Sequence, residues 1–194
     1  MDLTLAIETR YCTLSLVVHS NERKEVEIVM PRSQVTVRIR RPSEIVFESL
    51  VSHTWRNEPA WEPEVLEVRP QGDGPLALGS RVLMVRRESG KVFETTYEVT
   101  AFDPPRRITA RHLDGPMGFV IDFSVEPVDP GNANVTVGVD IRLHGPMRLM
   151  TPLFAIMGPR RNARISRQMV VAIEAATPVG RDTLSSKTAD FANA

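Results

Sequence analysis

Three polar side chains stand at positions where the sequence otherwise alternates toward an apolar face. His112 follows Ile108 and Ala110 at two-residue spacing, and Tyr97 and Thr95 alternate in the same way along another strand-like run. A neutral imidazole can donate one hydrogen bond and accept another, and a phenol hydroxyl can do both. Such groups could orient a ligand carbonyl or hydroxyl, or, with His112 and Tyr97 as the catalytic candidates, move protons. The alternative for His112 is a structural role at a strand end, hydrogen-bonded to backbone.

Sequence motifs for other chemistries are not found. The chain contains no GxxxxGK[ST] phosphate-binding motif, no HExxH and no GxSxG. Its four histidines are too scattered for a metal-ligand pattern, and the single Cys12 excludes both an internal disulfide and a cysteine-rich zinc site. Asp122 and Asp140 fall on the charged face of their strands, which argues against a paired-carboxylate site. We therefore expect neither a metal nor a cofactor.

The composition describes an ordinary globular protein. The 194 residues include 24 basic and 24 acidic side chains, and 42% are apolar. Zero net charge gives no general electrostatic reason to bind nucleic acid or an anionic membrane surface, so we expect no nucleic-acid partner. No apolar run reaches the ~18 residues of a membrane-spanning helix, so we expect no integral membrane association, and no secretory signal is recognisable. The expected location is the cytoplasm, and the oligomeric state is left open.

The chain divides into three segments. Residues 1–33 show only a weak alternation of apolar and polar side chains. We interpret them either as a peripheral extension or as a wrongly assigned start upstream of Met30. Residues 34–176 carry regular signals of one domain. Residues 177–194 are small and polar, which predicts a disordered tail.

The middle segment predicts an order of elements. A strand over 35–39 is followed by a helix that begins at Pro42, and Trp55 to Trp61 is a further short helical or irregular piece. Pro146 to Ala176 has helical period, with a kink or break expected at Gly158-Pro159. Between these helices lie six further strand-like runs, which are joined by short turns that favour antiparallel neighbours: 65–68, 81–87, 92–102, 107–113, 119–125 and 135–143.

Five stretches in this order resemble the START-like (SRPBCC) superfamily, in its polyketide cyclase/dehydrase and lipid-transport branch. They are VTVRIRRPSEIVFESL, PAWEPEVLEVR, GSRVLMVRR, TYEVTAFDPPRRITAR and the helix after HGPMRLMTPL. The resemblance implies an α+β helix-grip fold, in which a seven-stranded antiparallel sheet curls around a long C-terminal helix. It also implies two short helices after the first strand, and a cavity between the sheet and the long helix.

The alternation of the strands supports this architecture independently, because a sheet buried on one face carries apolar side chains at every second position. From the sheet, the candidate ligand-binding residues are Phe93, Thr95, Tyr97, Ala110, His112, Phe119, Ile121 and Phe123. From the long helix they are Met147, Met150, Phe154, Met157 and Ile165, which recur at helical spacing and serve equally well as core. Another side of that helix is basic and reads as a solvated face: Arg160, Arg161, Arg164 and Arg167.

Three functions are open at this point. The first is binding of a hydrophobic small molecule, such as a lipid, a polyketide or a related metabolite. The second is a polyketide cyclase or dehydratase, in which His112, Tyr97 and an inward-facing Arg would act on a bound poly-β-keto chain. The third is a protein-interaction module that uses the Leu149/Leu153/Ile156 flank of the last helix.

Overall fold

The computed structural model describes residues 8–9, 33–113, 117–143 and 149–176. Within these residues, eight strands form one antiparallel sheet in the order β1-β2-β8-β7-β6-β5-β4-β3. The strands are β1 Glu8–Thr9, β2 Ser33–Ile39, β3 Val65–Gln71, β4 Arg81–Glu88, β5 Lys91–Asp103, β6 Arg107–His112, β7 Met117–Asp129 and β8 Asn132–Leu143. Two helices accompany them in the described part of the chain, α1 Ser43–Arg56 and α2 Thr151–Ala175.

The seven predicted strands and the long C-terminal helix are confirmed as β2 to β8 and α2. The short turns between β3 and β8 produce a meander, because antiparallel neighbours need only a few connecting residues. At the other edge, the two-residue β1 pairs with Val35 and Thr36 of β2. The rest of the predicted N-terminal extension up to Arg32, and the predicted tail over 177–194, lie outside the described residues.

The prediction of two short helices after the first long strand is wrong, because the described residues between β2 and β3 contain one helix. α1 ends at Arg56, where Asn57 adopts the left-handed conformation (φ 57°) and its amide donates to the carbonyl of His53. Pro59 then disfavours helical geometry at Glu58. The segment to Trp61 therefore runs as an irregular connection.

α2 is continuous from Thr151 to Ala175 although it contains Pro159. The sequence predicted a kink or a break at Gly158-Pro159, and the helix does not break there. Proline removes one backbone hydrogen bond from a helix. That loss is offset by apolar packing on both sides, with Phe154 before Pro159 and Met169 after it.

The core lies between the concave face of the sheet, α1 and the C-terminal half of α2. α2 is anchored mainly on β2 and β8, where Met169 and Ile173 are fully buried. Asn162 fixes the same contact with a polar link, since its Nδ2 donates to the carbonyl of Val137 at 3.2 Å and to Ser33 Oγ at 3.2 Å. The C-terminal half of α2 is therefore the part most firmly held on the sheet.

Candidate functional site

The register of β4, β5 and β6 brings the polar candidates of the sequence together on the concave face. Tyr97 pairs with His112 on one side and with Val82 on the other, and directly paired residues share a face. The rings of Tyr97 and His112 are 5.7 Å apart between centroids, and the ring of His112 is 5.9 Å from that of Phe119. Tyr97 is buried, whereas His112 and Phe119 are half-buried.

Arg86 is a charged residue on this face. On β4 it follows Val82 and Met84 at two-residue spacing, and only 14% of its side chain is exposed. Its guanidinium donates to Glu62 Oε2 at 2.8 Å and contacts the hydroxyl of Tyr97. Its Nε lies 3.6 Å from Glu88 Oε1, too far for a hydrogen bond, and is buried without a hydrogen-bond partner among the described residues.

Burial and the surrounding charges keep both Tyr97 and Arg86 protonated. Burial raises the pKa of Tyr97 because it penalises the phenolate, and the positive charge of Arg86 only partly opposes this shift. Burial by itself would lower the pKa of Arg86, but Glu62, Tyr97 and Glu88 outweigh it, so that the net shift is upward. Tyr97 is therefore a neutral phenol and Arg86 a cation at neutral pH.

Two ion pairs join α2 to the β3–β4 side of the sheet. Arg161 donates to Glu88 Oε1 at 2.8 Å, and Arg164 donates to Glu64 Oε1 at 2.6 Å. Arg160, Arg164 and Arg167 are exposed, in agreement with the interpretation of this helix side as a solvated face, and Arg161 is half-buried where the end of β4 approaches the helix.

The N-terminal half of α2 makes a separate apolar contact with the sheet. Phe154 packs against a small cluster formed by Ile141 and Leu143 of β8, together with Phe119 and Val139. Ala110 and Ile121, a directly paired couple on the same face, are only half-buried. Apolar side chains between the two anchoring points of α2 are therefore not fully covered by the described residues.

The other candidates of the sequence lie at different depths. Phe123 and Ile165 pack against the main core, and Thr95 is half-buried beside Tyr97. Phe93, at the β4–β5 hairpin, is 49% exposed. Met150, which directly precedes α2, is 41% exposed, and Met157 on α2 is 57% exposed. Met147 lies outside the described residues. The structure thus collects Thr95, Tyr97, Ala110, His112, Phe119 and Ile121 on one sheet surface and leaves Phe93, Met150 and Met157 at its periphery.

His53 is a buried titratable residue that the sequence analysis did not single out. It lies on α1 with 4% exposure, stacks on Trp61, and its Nδ1 lies 3.0 Å from the carbonyl of Pro59. Burial lowers its pKa to about 4, the hydrogen bond to Pro59 opposes the shift, and Arg86 adds to it. The helical spacing of His53 with Val46 and Leu50 was the available signal of its burial.

The family model for polyketide cyclase/dehydrase and lipid-transport proteins matches residues 30–175, most of the chain. The chain belongs to this family. The resemblance inferred from the five sequence stretches is thereby confirmed. No curated protein matches the chain in sequence.

Solved structures with the same fold accompany the family match. The START superfamily protein from Mycobacterium smegmatis superposes with a TM-score of 0.63 at 15% identity, covering 75% of this chain and 99% of that one. The Zhui aromatase/cyclase from Streptomyces sp. R1128 gives 0.57 at 16% identity, covering 74% and 90%. Truncated norcoclaurine synthase from Thalictrum flavum gives 0.60 at 11% identity, covering 80% and 100%. At such identities the likeness concerns the helix-grip fold alone.

Three further observations describe this family member. Its described residues contain no helix long and apolar enough to cross a membrane. They also contain no group of three His, Cys, Asp or Glu side chains arranged to hold a metal ion. The Leu149/Leu153/Ile156 flank that the interaction hypothesis requires is exposed, with Leu149 at 85%.

Proposed function

We propose that this protein binds a hydrophobic small molecule between the concave sheet face and the N-terminal half of α2. The observation that carries the proposal is the incompletely covered apolar surface around Ala110, Phe119 and Ile121, bordered by Tyr97 and His112. Small-molecule sites in proteins are mostly apolar and contain a few placed polar groups, and this surface has that composition. Membership in a family whose description names lipid transport and polyketide cyclisation supports the same proposal.

The contacts of Phe154 support a ligand position near the N-terminal half of α2. Its ring packs on Ile141 and Leu143 and so bounds the partly covered surface from the side of the helix. The C-terminal half of α2 is held in the main core by Met169 and Ile173 and offers no room there. A ligand is therefore expected at Phe154, Phe119 and Ile121.

The test is direct. Native mass spectrometry of the purified protein is expected to find a co-purifying apolar molecule. An apolar probe such as 2-ethylnaphthalene is expected to bind with a negative heat-capacity change, the signature of apolar burial. Phe154→Trp should fill the space and weaken the binding of the probe. Leu149→Trp, on the exposed flank, should leave the binding unchanged. If both variants bind as well as the parent, this placement of the ligand is wrong.

A second candidate function is enzymatic, a cyclase or dehydratase acting on a poly-β-keto chain. The observation that favours it is the convergence of Tyr97, Arg86 and His112, which supplies hydrogen-bond donors and an imidazole next to an apolar surface. Genomic neighbours separate the two candidates, because a polyketide synthase cluster favours the enzyme and a lipid-metabolism operon favours the binder.

A further inference from the structure

We propose that Arg86 and Tyr97 form a subsite for a neutral oxygen acceptor, a ketone or ester carbonyl, on an otherwise apolar ligand, and that the glutamates around them reject carboxylates. This inference rests on the proposed function and deepens it by naming the chemical class of the ligand. It predicts that free fatty acids and other anions are poor ligands.

The first argument is the supply of donors. A guanidinium has no acceptor, so the neighbouring Arg86 can act on the hydroxyl of Tyr97 only as a cation and a donor, and it favours the oxygen of that hydroxyl on its own side. The proton of the Tyr97 hydroxyl is then available to another acceptor. The Nε of Arg86 is a second donor, buried and without a hydrogen-bond partner among the described residues. An unsatisfied buried donor is costly, so an oxygen brought by a ligand has a clear energetic role here.

The second argument is the local charge. Three arginines around this site have a carboxylate partner within 2.8 Å: Arg86 with Glu62, Arg161 with Glu88, and Arg164 with Glu64. This cluster of three arginines and three glutamates therefore has no net charge. A ligand carboxylate would lose its hydration opposite Glu62 and Glu88 and find no uncompensated cation, whereas a carbonyl oxygen brings no charge to desolvate.

The third argument is position. Arg86 is paired with Phe93 across the β4–β5 hairpin, and Tyr97 is paired with His112 toward the centre of the sheet. The donors thus lie between the exposed hairpin end and the half-buried apolar surface. A ligand whose hydrocarbon part rests on Phe119 and Ile121 would have its oxygen directed toward β4.

Three probes of one shape separate the possibilities: 2-acetylnaphthalene, 2-ethylnaphthalene and 2-naphthoate, each titrated at pH 7.5 by calorimetry. A purely apolar pocket favours the ethyl compound, because the ketone is better hydrated in water. The proposal predicts the reverse order, with the ketone about fivefold or more tighter than the ethyl compound, and 2-naphthoate weakest.

Substitutions test which residues cause the preference for the ketone and the rejection of the carboxylate. Tyr97→Phe keeps the ring and should abolish the preference for the ketone while leaving 2-ethylnaphthalene unchanged. Thr96→Val, which removes a hydroxyl from the opposite face of the same strand, is the matched control and should keep the preference. Glu62→Gln leaves Arg86 with an excess positive charge and should raise the affinity for 2-naphthoate about threefold or more, without affecting the ethyl compound.

The outcomes are distinct. If the parent protein binds the ethyl compound as tightly as the ketone, or if Tyr97→Phe retains the preference, the subsite is refuted and apolar binding still stands. If Glu62→Gln leaves 2-naphthoate unaffected, the rejection of anions by glutamates is refuted. If no probe binds, the proposed function itself fails. The comparison of the three probes on the parent protein does not depend on any variant folding.

Discussion

The imidazole of His53 stacks on the indole of Trp61, with ring centroids 3.4 Å apart and planes 22° apart. The stack joins α1 to the irregular segment before β3, and the contact between Nδ1 and the Pro59 carbonyl fixes the ring from its edge. A ring held in this way has no water to solvate a positive charge. The folded protein therefore keeps His53 neutral down to a pH of about 4.

This contact predicts a loss of stability in mild acid. In the unfolded chain His53 takes up a proton below its ordinary pKa of 6.5, whereas in the folded protein it does so only near its pKa of about 4. The free energy of unfolding should therefore be highest above pH 6.5 and fall between 6.5 and 4, by up to about 3 kcal/mol for this residue. Urea unfolding at several pH values measures it.

His53→Phe is the matched variant for this experiment, because it preserves an aromatic ring against Trp61 and cannot be protonated. Its free energy of unfolding should depend less on pH than that of the parent between 4 and 6.5. Parallel curves for the two proteins would show that another group causes the acid sensitivity.

Asn162 is expected to be the most sensitive polar position of α2. Its side chain is buried and bridges the helix to Ser33 and to the carbonyl of Val137. Asn162→Ala leaves these groups without their partner and should cost about 1–3 kcal/mol of unfolding free energy. Arg160→Ala, on the exposed side of the same helix, should change it by less than about 0.5 kcal/mol. Equal effects of the two changes would contradict the bridging role.

His112 tests whether the site orients a ligand. Its ring lies between those of Tyr97 and Phe119, so His112→Phe should fit sterically. We expect this change to weaken the binding of 2-acetylnaphthalene by ~1–2 kcal/mol with thermal stability nearly unchanged. A loss of stability with affinity reduced only through unfolding would assign His112 a structural role. Unchanged stability and unchanged affinity would remove it from the site.

The N-terminal segment offers a further prediction. Its described part is the two-residue β1, which pairs at the edge of the sheet with Val35 and Thr36. A chain that begins at Met30 should therefore fold with nearly the parental melting temperature. A loss of more than ~3 kcal/mol, the scale of a packed core element, would show that the segment is part of the domain.

Local patterns were sufficient to predict most of the fold. The two-residue alternation of Val35, Val37 and Ile39, and of the other strands, defines which side chains face inward, and the short turns require antiparallel neighbours. The same patterns predicted that Tyr97 and His112 share a face. The second short helix was a wrong prediction, since apolar spacing near Trp55 does not reveal that Asn57 takes a left-handed conformation.

The contacts of the site were decided by the tertiary structure. The spacing of Arg86 with Val82 and Met84 placed it on the inward face in principle, but its partner Glu62 is 24 residues earlier in the chain and Arg161 reaches Glu88 across 73 residues. Such pairs form only when folding brings distant elements together, and their strength depends on how far burial excludes water from the charged groups. The same sequence positions in an open chain would be solvated and independent. Periodicity along the chain is a local property and can be read from the sequence, whereas the neutral cluster around Arg86 and the buried His53 exist only because β4, α1 and α2 pack together.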